Sequence, residues 1–197
     1  MLVPRLPTTS ERWSLDGKKN CKAGKWVKQE LMPLRCAEVR GVTVKISDYF
    51  AELHVAGRLA DKGWDIYFPH RDKGFDFFIS KVANGSPILR PVQVKGKYTS
   101  AEKIDKGEYG YVGKLTQTHP EMVLAIPYFS VSSLDMPVYI AFMPWATIRE
   151  HARGYRCQPA AYREGNPKPR REYEKFFDAK GIERLESSTW SSESVSS

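Results

Sequence analysis

Residues 74–96 read GFDFFISKVANGSPILRPVQVKG, two strand-like runs that flank Asn84-Gly85. Asn-Gly is the strongest short signal for a β-hairpin, because both residues tolerate the positive φ of a type I′ turn. Counting outward from this turn sets Asp76 opposite Gln93. The two prolines of the second run leave a bulge or a shifted register open. The stretch therefore predicts a hairpin with an acid and an amide facing each other near its open end.

Side chains alternate between the two faces of a strand, so the predicted register also sorts this hairpin by face. Asp76, Gln93 and Lys95 share one face. The other face is apolar and holds Phe75, Phe77, Ile79, Val92 and Val94. Polar residues on a solvent-facing side are the simpler interpretation, but Phe78 also lies on that side. The alternation thus indicates an acid, an amide and an ammonium within reach of one another.

A helix is predicted to precede this hairpin, with Ser47 as its N-cap and Gly63 as its stop. At about 100° per residue, one arc of the helix is apolar. That arc holds Tyr49, Leu53, Ala56, Leu59 and Ala60. Glu52 falls inside the arc, where a carboxylate is costly unless it is paired or bound to a metal. The alternative is a glutamate at the edge of the stripe that reaches solvent or pairs with a cation.

Further elements follow by composition and turn signals. The strand-like segments are 42–46, 64–68, 75–82, 88–97, 122–129 and 138–142, and short helices are expected at 145–151 and 171–180. The economical fold class is α/β, with a mixed central β-sheet flanked by helices. The domains divide into a basic N-terminal extension, residues 1–46, a folded domain, residues 47–185, and a serine-rich tail, residues 186–197, expected to be disordered.

The chain has 197 residues with a formal net charge of +8, which favours an anionic partner. Its three cysteines are scattered, which argues against a zinc site or a disulfide scaffold. No apolar run is long enough for a signal core or a membrane span, so a cytoplasmic protein without a membrane partner is expected.

The order of these residues resembles the PD-(D/E)XK nuclease superfamily, in a Gln-x-Lys variant. The family places an acid on a helix, then Asp on one hairpin strand and (Glu/Asp/Gln)-x-Lys on the next. Here the corresponding residues are Glu52, Asp76, Gln93 and Lys95. The chain is most similar to Holliday-junction resolvases and group I intron-encoded homing endonucleases, over about residues 47–150. The resemblance implies a restriction-endonuclease-like core.

The same resemblance implies an endonuclease that hydrolyses DNA phosphodiester bonds with Mg²⁺ or Mn²⁺, in a homing, restriction, repair or junction-resolving role. Asp76 would be the central metal ligand, with the side chain of Gln93 or the carbonyl of Val94 as the second. Glu52 would bind directly or through water, and Lys95 would orient the attacking water. Gln93 stands where an acid is commoner, which leaves a catalytically inactive DNA-binding module as one alternative. A basic protein-interaction domain is the other.

Contacts to DNA are expected on both sides of the hairpin. The residues assigned to them are His70, Arg71, Lys73, Lys97 and Tyr98. The loop from Ser100 to Lys114 is either part of a DNA groove or a solvated loop, and the basic N-terminus is either a nucleic-acid arm or a solvated extension. One site per chain would favour a homodimer or a higher homo-oligomer for cutting both strands.

Overall fold

The computed structural model describes residues 48–71, 74–99 and 111–194. The described residues all belong to one compact unit. The predicted N-terminal extension, the strand at 42–46 and Ser47 lie outside the described residues, as do Lys73 and most of the loop after Tyr98.

The described residues form an α/β unit around a mixed five-stranded sheet, as the sequence predicts at this level. The elements run in the order α1 (Asp48–Ala60), β1 (Asp65–Tyr67), β2 (Phe77–Ala83), β3 (Ser86–Val94), β4 (Tyr111–Gly113), β5 (Val123–Tyr128), β6 (Tyr139–Pro144), β7 (Arg149–His151), β8 (Gly154–Arg156), β9 (Ala160–Arg163), β10 (Asn166–Pro169) and α2 (Asp178–Arg184). The sheet order is β1-β2-β3-β5-β6, in which only the β3–β5 pair is parallel.

The β2–β3 hairpin has the register that the sequence predicts. Ala83 pairs with Ser86, and the ladder runs without a shift to Phe77 opposite Val92. The two turn residues are Asn84 and Gly85, with φ of 53° and 76°, as a type I′ turn requires. Local turn chemistry therefore sets which residues meet at the open end of the hairpin.

Helix α1 packs against β1, β3 and β5, and Gly63 ends its last turn with a φ of 79°. Its buried stripe is formed by Ala51, Val55, Ala56 and Leu59. The prediction placed Tyr49, Leu53 and Ala60 on the core side, and this was wrong, because Tyr49 and Leu53 are 58% and 46% exposed and Ala60 is exposed as well. The true stripe is rotated towards Ala51 and Val55 and still contains the position of Glu52, which is half-buried.

The C-terminal third departs from the prediction. The helix expected at 145–151 is a 3-10 turn, Trp145–Thr147, followed by strand β7. The helix expected at 171–180 is a 3-10 helix, Arg171–Phe176, then a break, then α2. The break occurs because Phe177 is extended and forms a β-bridge with Ala141 at the edge of the sheet. Strands β4, β8 and β7 form a second sheet, and β9 and β10 form a hairpin.

The serine-rich tail, expected to be disordered, is folded over residues 187–194. Trp190 is fully buried and its indole nitrogen donates to the carbonyl of Met122. Arg90 of β3, which is 3% exposed, donates to the carbonyls of Leu185 and Ser187. One large apolar side chain and a buried guanidinium thus hold a segment whose composition alone is typical of disorder.

No helix among residues 48–71, 74–99 and 111–194 is both long and apolar enough to cross a membrane.

Candidate functional site

Asp76 and Gln93 meet at the open end of the β2–β3 hairpin. The amide nitrogen of Gln93 lies 2.9 Å from Oδ1 and 2.8 Å from Oδ2 of Asp76. The backbone N–H of Val94 donates to Oδ2 of the same carboxylate at 2.5 Å. Gln93 is 6% exposed and Asp76 is half-buried, so these bonds form partly out of water. Hydrogen bonds to a charged acceptor of this kind are stronger than neutral ones.

The Asp76 carboxylate occupies this position because the β2–β3 ladder, counted from the turn, ends at Phe77 and does not include Asp76. Strand β2 begins at Phe77, and the backbone N–H of Asp76 donates to the carbonyl of Val92 rather than to Gln93. The Asp76 side chain then takes the place of a strand partner for the N–H of Val94. Alternation also fails before the ladder, because Phe75, expected to share the face of Phe77, instead contacts Phe78 edge-on at 5.8 Å.

Lys95 follows the last residue of β3. Its backbone N–H donates to the carbonyl of Ala125 on the neighbouring strand β5, which continues the parallel pairing by one residue. Alternation along β3 directs its side chain to the face that carries Gln93. Its side chain is half-buried. That the amide and the ammonium lie on one face stays a prediction from alternation.

Glu52 comes from a different element. It lies on α1 within the stripe defined by Ala56 and Leu59, and this helix packs over β3 and β5. The structure thus brings together Asp76, Gln93 and the backbone of Val94 by direct hydrogen bonds, and it places Glu52 on the helix that packs against the strand carrying Gln93.

The fit of a divalent cation can be tested on the donor atoms present. Among the described residues, no three His, Cys, Asp or Glu side chains cluster to hold a metal ion. An ion would therefore rest on at most two acidic side chains together with neutral oxygens. Neighbouring ligands of an octahedral Mg²⁺ are about 3 Å apart, given ligand distances of 2.0–2.1 Å. The Gln93 amide end lies 2.8–2.9 Å from both Asp76 oxygens, so turning the amide by half a turn would present its oxygen at the spacing that such an ion needs.

Lys97 and Tyr98, predicted as DNA contacts, are half-buried and built into the sheet end. Lys97 forms a parallel bridge with Tyr128, and the Tyr98 ring stacks on Phe129 at 4.5 Å. Burial lowers the pKa of the Lys97 ammonium, the nearby Cys157 opposes this shift, and Lys95 adds to it. Of the remaining predicted contacts, His70 and Arg71 are exposed on the segment that leads to Asp76.

Two residues near the strand end were not anticipated from the sequence. The Tyr162 hydroxyl lies 2.7 Å and 2.8 Å from the carbonyl oxygens of Lys97 and Phe129. Burial raises the pKa of the Cys157 thiol to about 12, opposed by a hydrogen bond to Thr147 and by Lys97. Both residues reach Lys97 from at least 60 positions away along the chain, and no local sequence pattern signals such a contact.

Comparison of the chain with protein-family models, with curated proteins and with solved structures found no match.

Proposed function

We propose that this protein is a metal-dependent DNA endonuclease with a restriction-endonuclease-like core. The observation that carries the proposal is the Asp76–Gln93 contact, with the Val94 N–H at the end of β3 and Lys95 as the next residue. An acid, an amide and an ammonium at the end of a hairpin, with a glutamate on the helix that packs over it, are the groups that this chemistry needs. The chain's net charge of +8 also favours a polyanionic substrate.

Each residue has a defined role in the proposal. Asp76 would hold a Mg²⁺ or Mn²⁺ ion together with the side-chain oxygen of Gln93 or the carbonyl of Val94, and Glu52 would contribute directly or through water. The bound ion would supply a water of lowered pKa and neutralise charge on the phosphate. Lys95 would orient the attacking water and offset negative charge in the transition state. Asp76 would thus position the ion and Lys95 the nucleophile.

The test is cleavage of supercoiled plasmid and branched DNA with Mg²⁺ or Mn²⁺. Wild type is compared with Asp76→Asn, Asp76→Ala and Lys95→Ala. Matched controls are Asp65→Asn and Lys62→Ala, which remove exposed charges elsewhere. The proposal expects cleavage by wild type and both controls and a loss of about 100-fold or more in the site variants. Site variants that cut as fast as wild type would disprove the site.

A second candidate is a DNA-binding module of the same fold without catalysis. The observation that favours it is that both oxygens of Asp76 accept hydrogen bonds from Gln93, so the carboxylate already stabilises the hairpin end. An electrophoretic shift in EDTA separates the candidates. Binding that weakens steeply with salt, together with no cleavage of any DNA form, supports the second candidate over the first.

A homodimer is part of the proposal if both strands are cut, because each chain carries one site. Sedimentation of the protein with and without a DNA duplex tests this directly.

A further inference from the structure

The region that follows the central sheet is strongly basic. Residues 149–171 carry seven Arg or Lys against two Glu, a net charge of +5 within a chain whose total is +8. This region includes strands β7 and β8 of the second sheet. None of the candidate site residues described above lies in β7 or β8, yet the region that contains these strands holds much of the chain's excess positive charge.

Two arginines face each other directly in this sheet. Arg149 of β7 pairs with Arg156 of β8 in the antiparallel register, and both are exposed. Directly opposed residues have Cβ atoms about 4.5–5.5 Å apart, and like charges at this spacing destabilise a sheet. Across the described part of the chain, the ion pairs are Lys81–Glu186, Arg90–Glu121 and Arg184–Glu193, and neither Arg149 nor Arg156 belongs to one of them.

A bound phosphate would remove this repulsion. The guanidinium group offers five N–H donors in a planar fork that matches phosphate oxygens, and it retains its charge at all physiological pH values. Two such groups on neighbouring strands can hold one phosphate between them or two successive phosphates of one nucleic-acid strand. A pair of opposed arginines on an exposed sheet is therefore a feature that an anionic backbone would stabilise.

The sheet is also connected to the candidate site. Arg156 is followed by Cys157, whose buried thiol is close enough to Lys97 for the two groups to shift each other's pKa. Lys97 in turn lies two residues after Lys95 on the chain that leaves β3. Tyr173, half-buried, is near Cys157 and near three charged residues, Glu172, Arg149 and Arg170. The arginines and the candidate site thus lie on structure that meets around Cys157 and Lys97.

We propose that Arg149 and Arg156 form a binding surface for the phosphate backbone of DNA, alongside the Asp76 site. This inference deepens the proposed nuclease function and rests on it for the identity of the polyanion. The arginine pair reads no bases, because phosphate contacts position a protein on nucleic acid without carrying sequence information. It fixes where the strand lies relative to Asp76 and Lys95.

The test is binding of a fluorescent DNA duplex by the full chain in EDTA, followed by anisotropy against KCl concentration. The variants are Arg149→Gln/Arg156→Gln and, as a matched control, Arg163→Gln/Lys168→Gln, which removes the same charge from the exposed positions of the β9–β10 hairpin. We expect the arginine-pair variant to bind about tenfold more weakly, and the slope of log K against log [salt] to become about 1.8 shallower for two lost phosphate contacts. The control keeps most of the affinity and slope.

Four outcomes are informative. Equal losses in both double variants mean a net-charge effect and overturn the assignment, as does an unchanged affinity in the arginine-pair variant. Polyglutamate that competes as well as DNA overturns the choice of DNA as partner. Arg149→Lys/Arg156→Lys keeps the charge and the fold, so we expect it to retain the salt slope while losing part of the affinity.

The inference and the proposed function can fail separately. Because binding is measured in EDTA, cleavage plays no part in the result. A wild type that binds as expected but cuts no DNA with Mg²⁺ or Mn²⁺ removes the nuclease and leaves the arginine surface. If the wild type cuts DNA and the arginine-pair variant binds and cuts equally well, the nuclease proposal stands and the arginine surface is removed.

Discussion

The Gln93 amide nitrogen donates to both carboxylate oxygens of Asp76, at 2.9 Å and 2.8 Å. Only a donor can occupy this position in the absence of a cation, since a second carboxylate there would face the first at the same distance. Gln93 therefore suits the metal-free fold better than the acid that is commoner in nucleases of this pattern. An acid would suit a bound cation better, because it adds a negative charge to the ligand set. The residue at position 93 therefore sets the balance between the stability of the metal-free protein and its affinity for a cation.

The first prediction concerns Gln93→Glu. The variant loses the hydrogen bonds to Asp76 and places two carboxylates in contact, so its free energy of unfolding in EDTA should fall by about 1–3 kcal/mol. Addition of Mg²⁺ should raise its melting temperature more than that of wild type, because a cation that binds the folded state more tightly stabilises it more at the same concentration. Differential scanning fluorimetry across a Mg²⁺ titration measures both effects.

The control for this prediction is Gln117→Glu, which adds the same charge at an exposed position. It should show no change in stability in EDTA beyond about 0.5 kcal/mol and no added response to Mg²⁺. If Gln93→Glu responds to Mg²⁺ no more than this control, a cation does not bind between positions 76 and 93.

The second prediction concerns the structural role of Asp76. Asp76→Ala removes the acceptor for the buried Gln93 amide and for the Val94 N–H, which should cost about 1–3 kcal/mol in urea denaturation. Asp76→Asn keeps one oxygen acceptor and should cost less. A loss of cleavage in Asp76→Asn at nearly wild-type stability would then reflect chemistry rather than unfolding. Equal stability of wild type and Asp76→Ala would contradict the hydrogen bonds as described.

The sequence predicts those features of this fold that depend on contacts between residues close together in the chain. The Asn84-Gly85 turn is local, so counting outward from it gives the register of β2 and β3 correctly as far as Phe77 and Val92. The side-chain contact between Asp76 and Gln93 follows from the same count. Alternation fails at Phe75 because the ladder has already ended there, and no feature of the sequence marks that point.

Contacts between distant parts of the chain explain the larger errors. The tail was expected to be disordered from its serine content, but Trp190 is buried and packs near Arg90, with the guanidinium carbon 5.6 Å from the ring centroid. The strands of the second sheet are only three residues long, so they are too short to show the alternation that identifies a strand from sequence. The helical stripe of α1 was misplaced because Tyr49 and Leu53 are apolar but exposed.

The third prediction concerns the buried guanidinium of Arg90. Arg90→Ala leaves the carbonyls of Leu185 and Ser187 without their donor and opens a space beside Trp190, so the free energy of unfolding should fall by about 2–4 kcal/mol. Residues 185–194 should become accessible to proteases before the rest of the domain. Limited proteolysis with mass spectrometry and urea denaturation measure the two effects.

Glu121→Gln is the matched control for this prediction. The Glu121 side chain is 36% exposed, and glutamine keeps an oxygen that can accept a hydrogen bond from Arg90, so this variant should lose less stability than Arg90→Ala even though the guanidinium that it leaves without a carboxylate is buried. If Arg90→Ala is as stable as Glu121→Gln and equally resistant to protease, the guanidinium does not hold the C-terminal segment in place.

The fourth prediction concerns stability at alkaline pH. Burial raises the pKa of the Cys157 thiol in the folded protein to about 12, from an ordinary value of 9.0. Above pH 9 the unfolded chain therefore loses this proton while the folded chain keeps it, and the free energy of unfolding falls as pH rises from 9 towards 12.

Two other buried groups also make the stability of this protein depend on alkaline pH. Burial raises the pKa of Tyr128, which lowers stability as pH rises, whereas the lowered pKa of Lys97 has the opposite effect. The difference between wild type and Cys157→Ala separates the thiol from these groups, because they are present in both proteins. Urea denaturation at pH 8, 9, 10 and 11 should show a steeper decline for wild type than for Cys157→Ala, and Cys157→Ser should behave like the alanine variant because a hydroxyl does not titrate in this range. Parallel declines in all three proteins would mean that the thiol ionises alike in the folded and unfolded chains, which would contradict its burial in the folded protein.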